Sequence, residues 1–412
     1  MCRRPAVIVL VACIATSGVL GTHSVLHAQG LPAPRGVAGD LWADVEVGKR
    51  DFTEITPREV VPYKVSAPGG VIVDRTVEPG RAYVWDSSNN RILGLDPAQC
   101  YAQDSPCSAA IVIGQPSVYD HGACNLDSSF QFYPERAPAS AATLCGIWEG
   151  THTTLEDKSF ANMEVDAAGN LYVPDSRNHR VLKYLSPFTT DVIADEVWGQ
   201  ADFAGNGCNA SASSASPPTA STLCFHSIGA SGAGVTLDAA GNLWVADGGN
   251  NRVLRFPKQL DGTISKTADI VLGQPDFTSG GDWSFCDAMN RMHAPAALRF
   301  DASGNLYVAD SENRRVLVFQ PPFTSGMSAN RTLGTNFSGG PLGLEIDPQG
   351  RGLWTFDNEV WDGEVQLWGF DGTLLAALPL LGNPGGGSIG IDANGAVLPS
   401  TYVYGQDVRR RA

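Results

Sequence analysis

Residues 234–256 read GVTLDAAGNLWVADGGNNRVLRF, and this stretch decides the fold. It holds three short runs of alternating apolar residues, separated by two segments of turn chemistry. Alternation with a period of two is the mark of a half-buried strand. The first turn, residues 238–242, offers Gly241 for a positive φ and side chains that bond their own backbone. The second, residues 247–252, carries Asp and Asn for the same reason. The stretch predicts a meander of three strands, a, b and c.

The same pattern recurs at 162–184 (NMEVDAAGNLYVPDSRNHRVLKY) and 297–319 (ALRFDASGNLYVADSENRRVLVF). Weaker copies occupy 71–95, 344–370 and 389–409, and Gly304, Gly350 and Gly395 recur near the ~40–45-residue period of a four-stranded blade. A fourth strand, d, follows at a distance. It reads ADEVWGQADF at 194–203 and ADIVLGQPDF at 268–277, with looser copies at 110–115 (AIVIGQ) and 331–337 (RTLGTNF). Four antiparallel strands per unit make the blade of an all-β propeller. The core units are expected at about 69–95, 161–185, 233–257, 296–320, 341–370 and 387–410. The sixth runs out after its third strand. Residues 43–52 (ADVEVGKRDF) align without a gap to 268–277. The expectation is a six-bladed ring spanning 30–412, its last blade completed by this N-terminal strand so that no sheet edge stays open.

The pattern apolar-x-x-Asp-x-x-Gly-Asn-Leu-aromatic-Val-x-Asp-x-x-Asn-x-Arg-Val-Leu resembles the NHL repeat. The resemblance covers nearly all of 30–412 and is specific in units two to four. Unit one keeps Asp86, Asn89 and Arg91; unit five keeps Asp357 but loses the Asn and Arg; unit six loses the motif after Ala396. It implies a propeller whose d-to-a connections and b–c turns share the face around the central channel. Ligand or active sites are expected there by analogy with related folds.

Composition narrows the function. Across 412 residues the formal charge is −15, with no basic stripe, which excludes a phosphate-reading surface and hence nucleic acid. The closing Arg409, Arg410 and Arg411 read as a solvated end. Residues 1–29 have the layout of an export signal: Arg3 and Arg4, an apolar run over 6–20, and small residues near Ala28. The run is short for a membrane span. Residues 10–13 (LVAC) also resemble a lipoprotein processing box that would leave Cys13 lipidated. Soluble export, secreted or periplasmic, is the leading expectation.

Seven of the nine cysteines lie beyond residue 29. Cys124-Asn125 leads to Thr143-Leu144-Cys145, and Cys208-Asn209 leads to Thr222-Leu223-Cys224. One pair recurring in two equivalent loops predicts the disulfides Cys124–Cys145 and Cys208–Cys224, with Cys100–Cys107 as a third. Zinc is the weaker reading, since the pairs lack CxxC spacing and sit in separate repeats. Cys286 aligns with the second member of these pairs and is expected to be a free, buried thiol.

The connections over 116–160, 201–231 and 275–295 are long, and long structureless loops are usually functional or disordered. These are rich in aromatics, including Tyr119, Trp148, Phe225 and Trp283. Two readings stay open: the aromatics line a binding rim, or they pack the loops onto the ring. His152, His226 and His293 precede the inner strands of units two, three and four, and His121 lies in the same region. A shared Zn or Ca there would give a metal-dependent lyase or lactonase-like hydrolase, and NHL-type amidating lyases are thought to use a His-ligated metal in that region. Their unequal distances from Asp166, Asp238 and Asp301 argue against convergence, and the expectation is no three-histidine site. The repeated Asp86, Asp175, Asp247 and Asp310, with Arg91, Arg180, Arg252 and Arg315, read as architecture, because catalysis needs one constellation and not four. The leading function is a non-enzymatic scaffold recognising a protein, peptide or glycan.

Overall fold

The computed structural model describes residues 9–10, 45–46 and, within 61–403, all but 63, 66–67, 79, 97–107, 121–123, 127–137, 147–160, 212–215, 228–229, 232, 282–287, 336, 358–363, 380–383 and 392–396. Five sheets of four antiparallel strands stand around an axis, each running in sequence order from the inside outward. Blade one is Pro68–Asp74, Arg81–Asp86, Arg91–Leu95 and Ala109–Ile113. Blade two is Glu164–Val165, Leu171–Asp175, Arg180–Tyr184 and Glu196–Trp198. Blade three is Ala233–Leu237, Leu243–Asp247, Arg252–Phe256 and Ile270–Leu272. Blade four is Pro295–Phe300, Leu306–Asp310, Arg315–Phe319 and Arg331–Thr335. Blade five is Pro341–Ile346, Gly352–Asp357, Glu364–Gly369 and Leu374–Pro379.

The expected sixth blade is not formed. Among the described residues its sector holds a two-stranded ladder, Pro384–Ile391 with Val397–Val403. The sequence of this last unit also lacks the Asp-x-x-Asn-x-Arg motif. Nor do the described residues of 43–52 complete it. Val45–Glu46 pairs in parallel with Val9–Leu10. The ladder itself fills the gap between blades five and one: Ser388 Oγ donates to Val71 O at 3.2 Å, and Ile389 and Ile391 join a core with Trp354 and Phe356.

The core sits between neighbouring blades. Ile72, Trp85 and Ile113 of blade one pack with Met163, Val173 and Leu182 of blade two. Tyr172 and Trp198 of blade two pack with Val235 and Leu254 of blade three, and the pattern continues around the ring. Each sheet is apolar on both faces for this reason, and no blade is a domain by itself.

Candidate functional site

The face carrying the b–c turns is built from one repeated device. In blade three, Asp247 ends strand b and lies wholly buried. Its Oδ2 accepts from Arg252 Nε at 2.8 Å and Asn250 Nδ2 at 2.8 Å, and its Oδ1 accepts the Cys224 backbone N–H at 2.7 Å. Arg252 then donates to the carbonyls of Phe277, Thr219 and Thr222. Blade two repeats this with Asp175, Asn178, Arg180 and the Cys145 N–H. Blade four does so with Asp310, Asn313, Arg315 and the His293 N–H, and Asp86, Asn89 and Arg91 form the same pairs in blade one. Burial pushes the Asp175, Asp247 and Asp310 carboxyls up, and the Arg, Asn and backbone donors pull against it. Every one of these Asp–Arg pairs is consumed by backbone docking, which is the architectural role their repetition implies.

The next residue in each connection reaches the other way, to the preceding blade. Gly146 N–H donates to Asn90 Oδ1 at 2.6 Å, Phe225 N–H to His179 Nδ1 at 3.2 Å, and Ala294 N–H to Asn251 Oδ1 at 2.9 Å. Asn90, His179 and Asn251 stand in the left-handed region, with φ of 51, 51 and 55°. Asn and His tolerate that region better than most side chains. Their carbonyls are held in turn by the Gln that follows each d strand: Gln115, Gln200 and Gln274. Consecutive N–H groups of one connection thus join two neighbouring blades.

Two disulfides fasten these connections, Cys124–Cys145 and Cys208–Cys224. The Asn after each first cysteine pairs amide to amide with the turn: Asn125 with Asn178, and Asn209 with Asn250. This explains the recurrent Cys-Asn. In blade four the place of Cys145 and Cys224 is taken by His293, whose N–H meets Asp310, and not by Cys286, as alignment had suggested. Cys286 and the Cys100–Cys107 pair lie outside the described residues.

The expected rim residues separate. Tyr119 is 66% exposed. Phe225 is buried in the core between blades two and three, so it packs its loop onto the ring. Trp148 and Trp283 lie outside the described residues, as do His121 and His152. His293 is partly buried at a docking position, and His226 begins a two-residue strand just beyond Phe225. These two histidines therefore hold different places in their blades. Among the described residues no cluster of three or more His, Cys, Asp or Glu is arranged to hold a metal, and no helix is long and apolar enough to cross a membrane.

The channel carries groups that sequence reasoning passed over. Near the loop-bearing end the inner strands close in: Ala161 N–H donates to Gly69 O and Asn162 N–H to Ala233 O. The buried Asn162 amide donates across the axis to Ala296 O at 3.0 Å and Leu342 O at 2.9 Å. A Cβ on Gly70 or Gly234 would strike the Ala161 or Ala296 carbonyl, so both positions need glycine. Toward the other end lies a charged ring. Arg299 Nε meets Glu345 Oε2 at 2.7 Å, and its NH1 lies 3.7 Å from Glu164 Oε2. Arg75 NH2 meets Glu345 Oε1 at 2.9 Å while its Nε donates to Ile391 O at 2.7 Å. Thr236 Oγ1 donates to Glu164 Oε2 at 2.9 Å. Burial pushes the Glu164 carboxyl above the usual range; Arg299 pulls against this and Glu345 adds to it. The signal was present: the residue two before the Asp that ends strand a is polar in four successive units, namely Glu164, Thr236, Arg299 and Glu345, where an inner strand is otherwise apolar.

A family model described as NHL repeat matches residues 233–256. No curated protein matches the chain. Among solved structures, virginiamycin B lyase from Staphylococcus aureus is similar at 12% identity and a TM-score of 0.39, over 79% of this chain and 74% of that one. Hydrazine synthase of Kuenenia stuttgartiensis is similar at 12% identity and a TM-score of 0.44, over 83% and 75%. A gluconolactonase of Xanthomonas campestris is similar at 16% identity and a TM-score of 0.35, over 58% and 70%. Likeness at this level carries no argument about activity.

Proposed function

We propose that this chain, an NHL-type β-propeller, is an exported recognition scaffold that takes a protein, peptide or glycan on its loop-bearing face. The observation that carries the reading is the anchoring of that face. Connections that could have been slack are held by disulfides, amide pairs and N–H groups shared between blades, and a rigid platform lowers the ordering cost of binding. The disulfides suit a secreted or periplasmic site, with residues 1–29 as the export signal and lipidation at Cys13 the rival fate. Exposed Tyr119, with Trp148 and Trp283, supplies the aromatic contact such surfaces favour.

The test is a binding screen of the purified mature chain on peptide and glycan arrays, repeated with Tyr119→Ala, Trp148→Ala and Trp283→Ala. Binding lost in these variants but kept in Leu260→Ser, on the c–d loop of blade three, supports the scaffold. Stoichiometric Zn or Ca in the purified protein, with turnover that chelation abolishes, replaces it with the lyase or lactonase-like reading.

A further inference from the structure

Three joints on the loop-bearing face use the same bond with one chemical difference. Between blades one and two, and between three and four, the acceptor is an Asn amide oxygen, Asn90 Oδ1 or Asn251 Oδ1. Between blades two and three it is an imidazole nitrogen, His179 Nδ1, which accepts the Phe225 N–H. All three acceptors are buried and share the left-handed backbone conformation. An amide oxygen is an acceptor at every physiological pH. A ring nitrogen is one only while unprotonated, and imidazolium presents N–H at both positions.

We infer that His179 makes the joint between blades two and three a pH-sensitive latch, which acid opens while the neighbouring joints stay shut. Protonated Nδ1 would set an N–H against the Phe225 N–H, replacing an attraction with a repulsion and leaving a buried donor unpaired. The closed joint accepts only the neutral ring, so opening takes up a proton. The joint's hold is complete above the ordinary imidazole range near pH 6.5 and weakens progressively as pH falls below it.

Among the described residues, the charged groups nearest the ring are engaged elsewhere. Asp175 and Arg180, on the same turn, are paired with each other. Arg177 is buried two residues before His179. Gly199 and Gln200, which pack on the His179 carbonyl from the d strand, carry no charge. His226 follows Phe225 in the chain and is a second imidazole close to the joint in sequence. Opening would free Phe225, now in the core between the two blades, together with the connection that Cys208–Cys224 ties to it. The latch is a property of the fold and stands whether or not the face binds a ligand.

Amide hydrogen exchange of the mature chain at pH 8, 7, 6 and 5, corrected to protection factors, tests it. Protection of the peptide containing Phe225 should fall about tenfold per pH unit below ~6.5, while the peptide containing Ala294 stays level. His179→Asn, which installs the acceptor of the neighbouring joints, should make the Phe225 peptide level as well. Should that variant fail to fold, Asn251→His provides the converse, and the Ala294 peptide should then become acid-sensitive. A level wild-type profile, an equal fall in His179→Asn (which would point to His226), or an Asn251→His joint indifferent to pH would overturn the latch.

Discussion

Blades two to four and the sector between blades five and one hold together by different means. In the first region each b–c turn buries an Asp–Arg pair that docks the incoming connection, and the next N–H of that connection grips the previous blade. In the second region the motif has decayed, and among the described residues the last unit forms two strands. There Arg75 of blade one reaches over the ladder, donating to Ile391 O and pairing with Glu345 of blade five. A ring needs every neighbour bonded, but not by the same chemistry. Where the repeat is intact, short-range turn residues do it; where it is lost, the packing of the ladder and a long side chain across the channel do.

The largest break in that comparison is expected at an intact joint. Arg252→Ala would leave the Asp247 carboxylate buried with its ion pair gone and three carbonyl acceptors unmet. Removing one partner of a buried pair costs about 3–5 kcal/mol. Urea unfolding should show a loss of that size; less than ~1 kcal/mol would mean that the pair is ornamental to the joint.

The clasp should rank second. Arg75 is one-third exposed, so Arg75→Gln is expected to cost about 1–2 kcal/mol, the lower part of the range for hydrogen bonds to charged groups once solvent screening is allowed for. Glu345→Gln should cost more, because Arg299, nearly buried, loses its 2.7 Å partner as well. The order of the two variants is the informative result. Arg75→Gln costing as much as Arg252→Ala would make the clasp equal to a full joint, and no cost at all would leave closure to the ladder's apolar packing alone.

These contrasts also mark what the sequence made legible. Strand alternation and the Asp-x-x-Gly-Asn turns placed the strands of the three strongest units within a few residues, and the recurrent Cys-Asn…Thr-Leu-Cys pairs the two disulfides. Both are local signals that recur. The count of blades was not local. Residues 43–52 align with a d strand, yet pairing depends on which edge is offered, and the described part, Val45–Glu46, pairs with Val9–Leu10. The alignment of Cys286 failed likewise: the docking N–H belongs to His293, and spacing within a loop cannot say which backbone group meets Asp310. The charged ring left a trace in the polar residue two before each Asp that ends strand a, but its members are far apart in the chain and meet only when the inner strands converge.

The smallest expected effect sharpens the comparison at the a–b turns. In blades two, three and four this turn pairs a neutral amide with a carboxylate: Asn170, Asn242 and Asn305 each donate to the Asp four residues before, at 2.8, 2.8 and 2.7 Å. Blade five replaces the Asn with Arg351, which donates to Asp347 at 2.6 and 3.0 Å, and Trp354 Nε1 adds a bond at 3.1 Å. Burial opposes ionisation of Asp347, but these donors outweigh it and hold the carboxyl below its usual range. Its folded form therefore binds a proton less readily than the unfolded chain does. The stability it lends is complete above the unfolded carboxyl range near pH 3.9 and is lost as pH falls through the lower folded value. The Arg351 side chain is 44% exposed, which limits what the pair contributes. Arg351→Asn should restore the arrangement of the other blades and change stability at pH 7 by less than ~1 kcal/mol. Its signature lies in the acid limb. The wild-type urea midpoint should drop more steeply than the variant's between pH 4.5 and 3, and parallel acid limbs would show that the ion-paired turn is worth no more than the amide–carboxylate turns of the other blades.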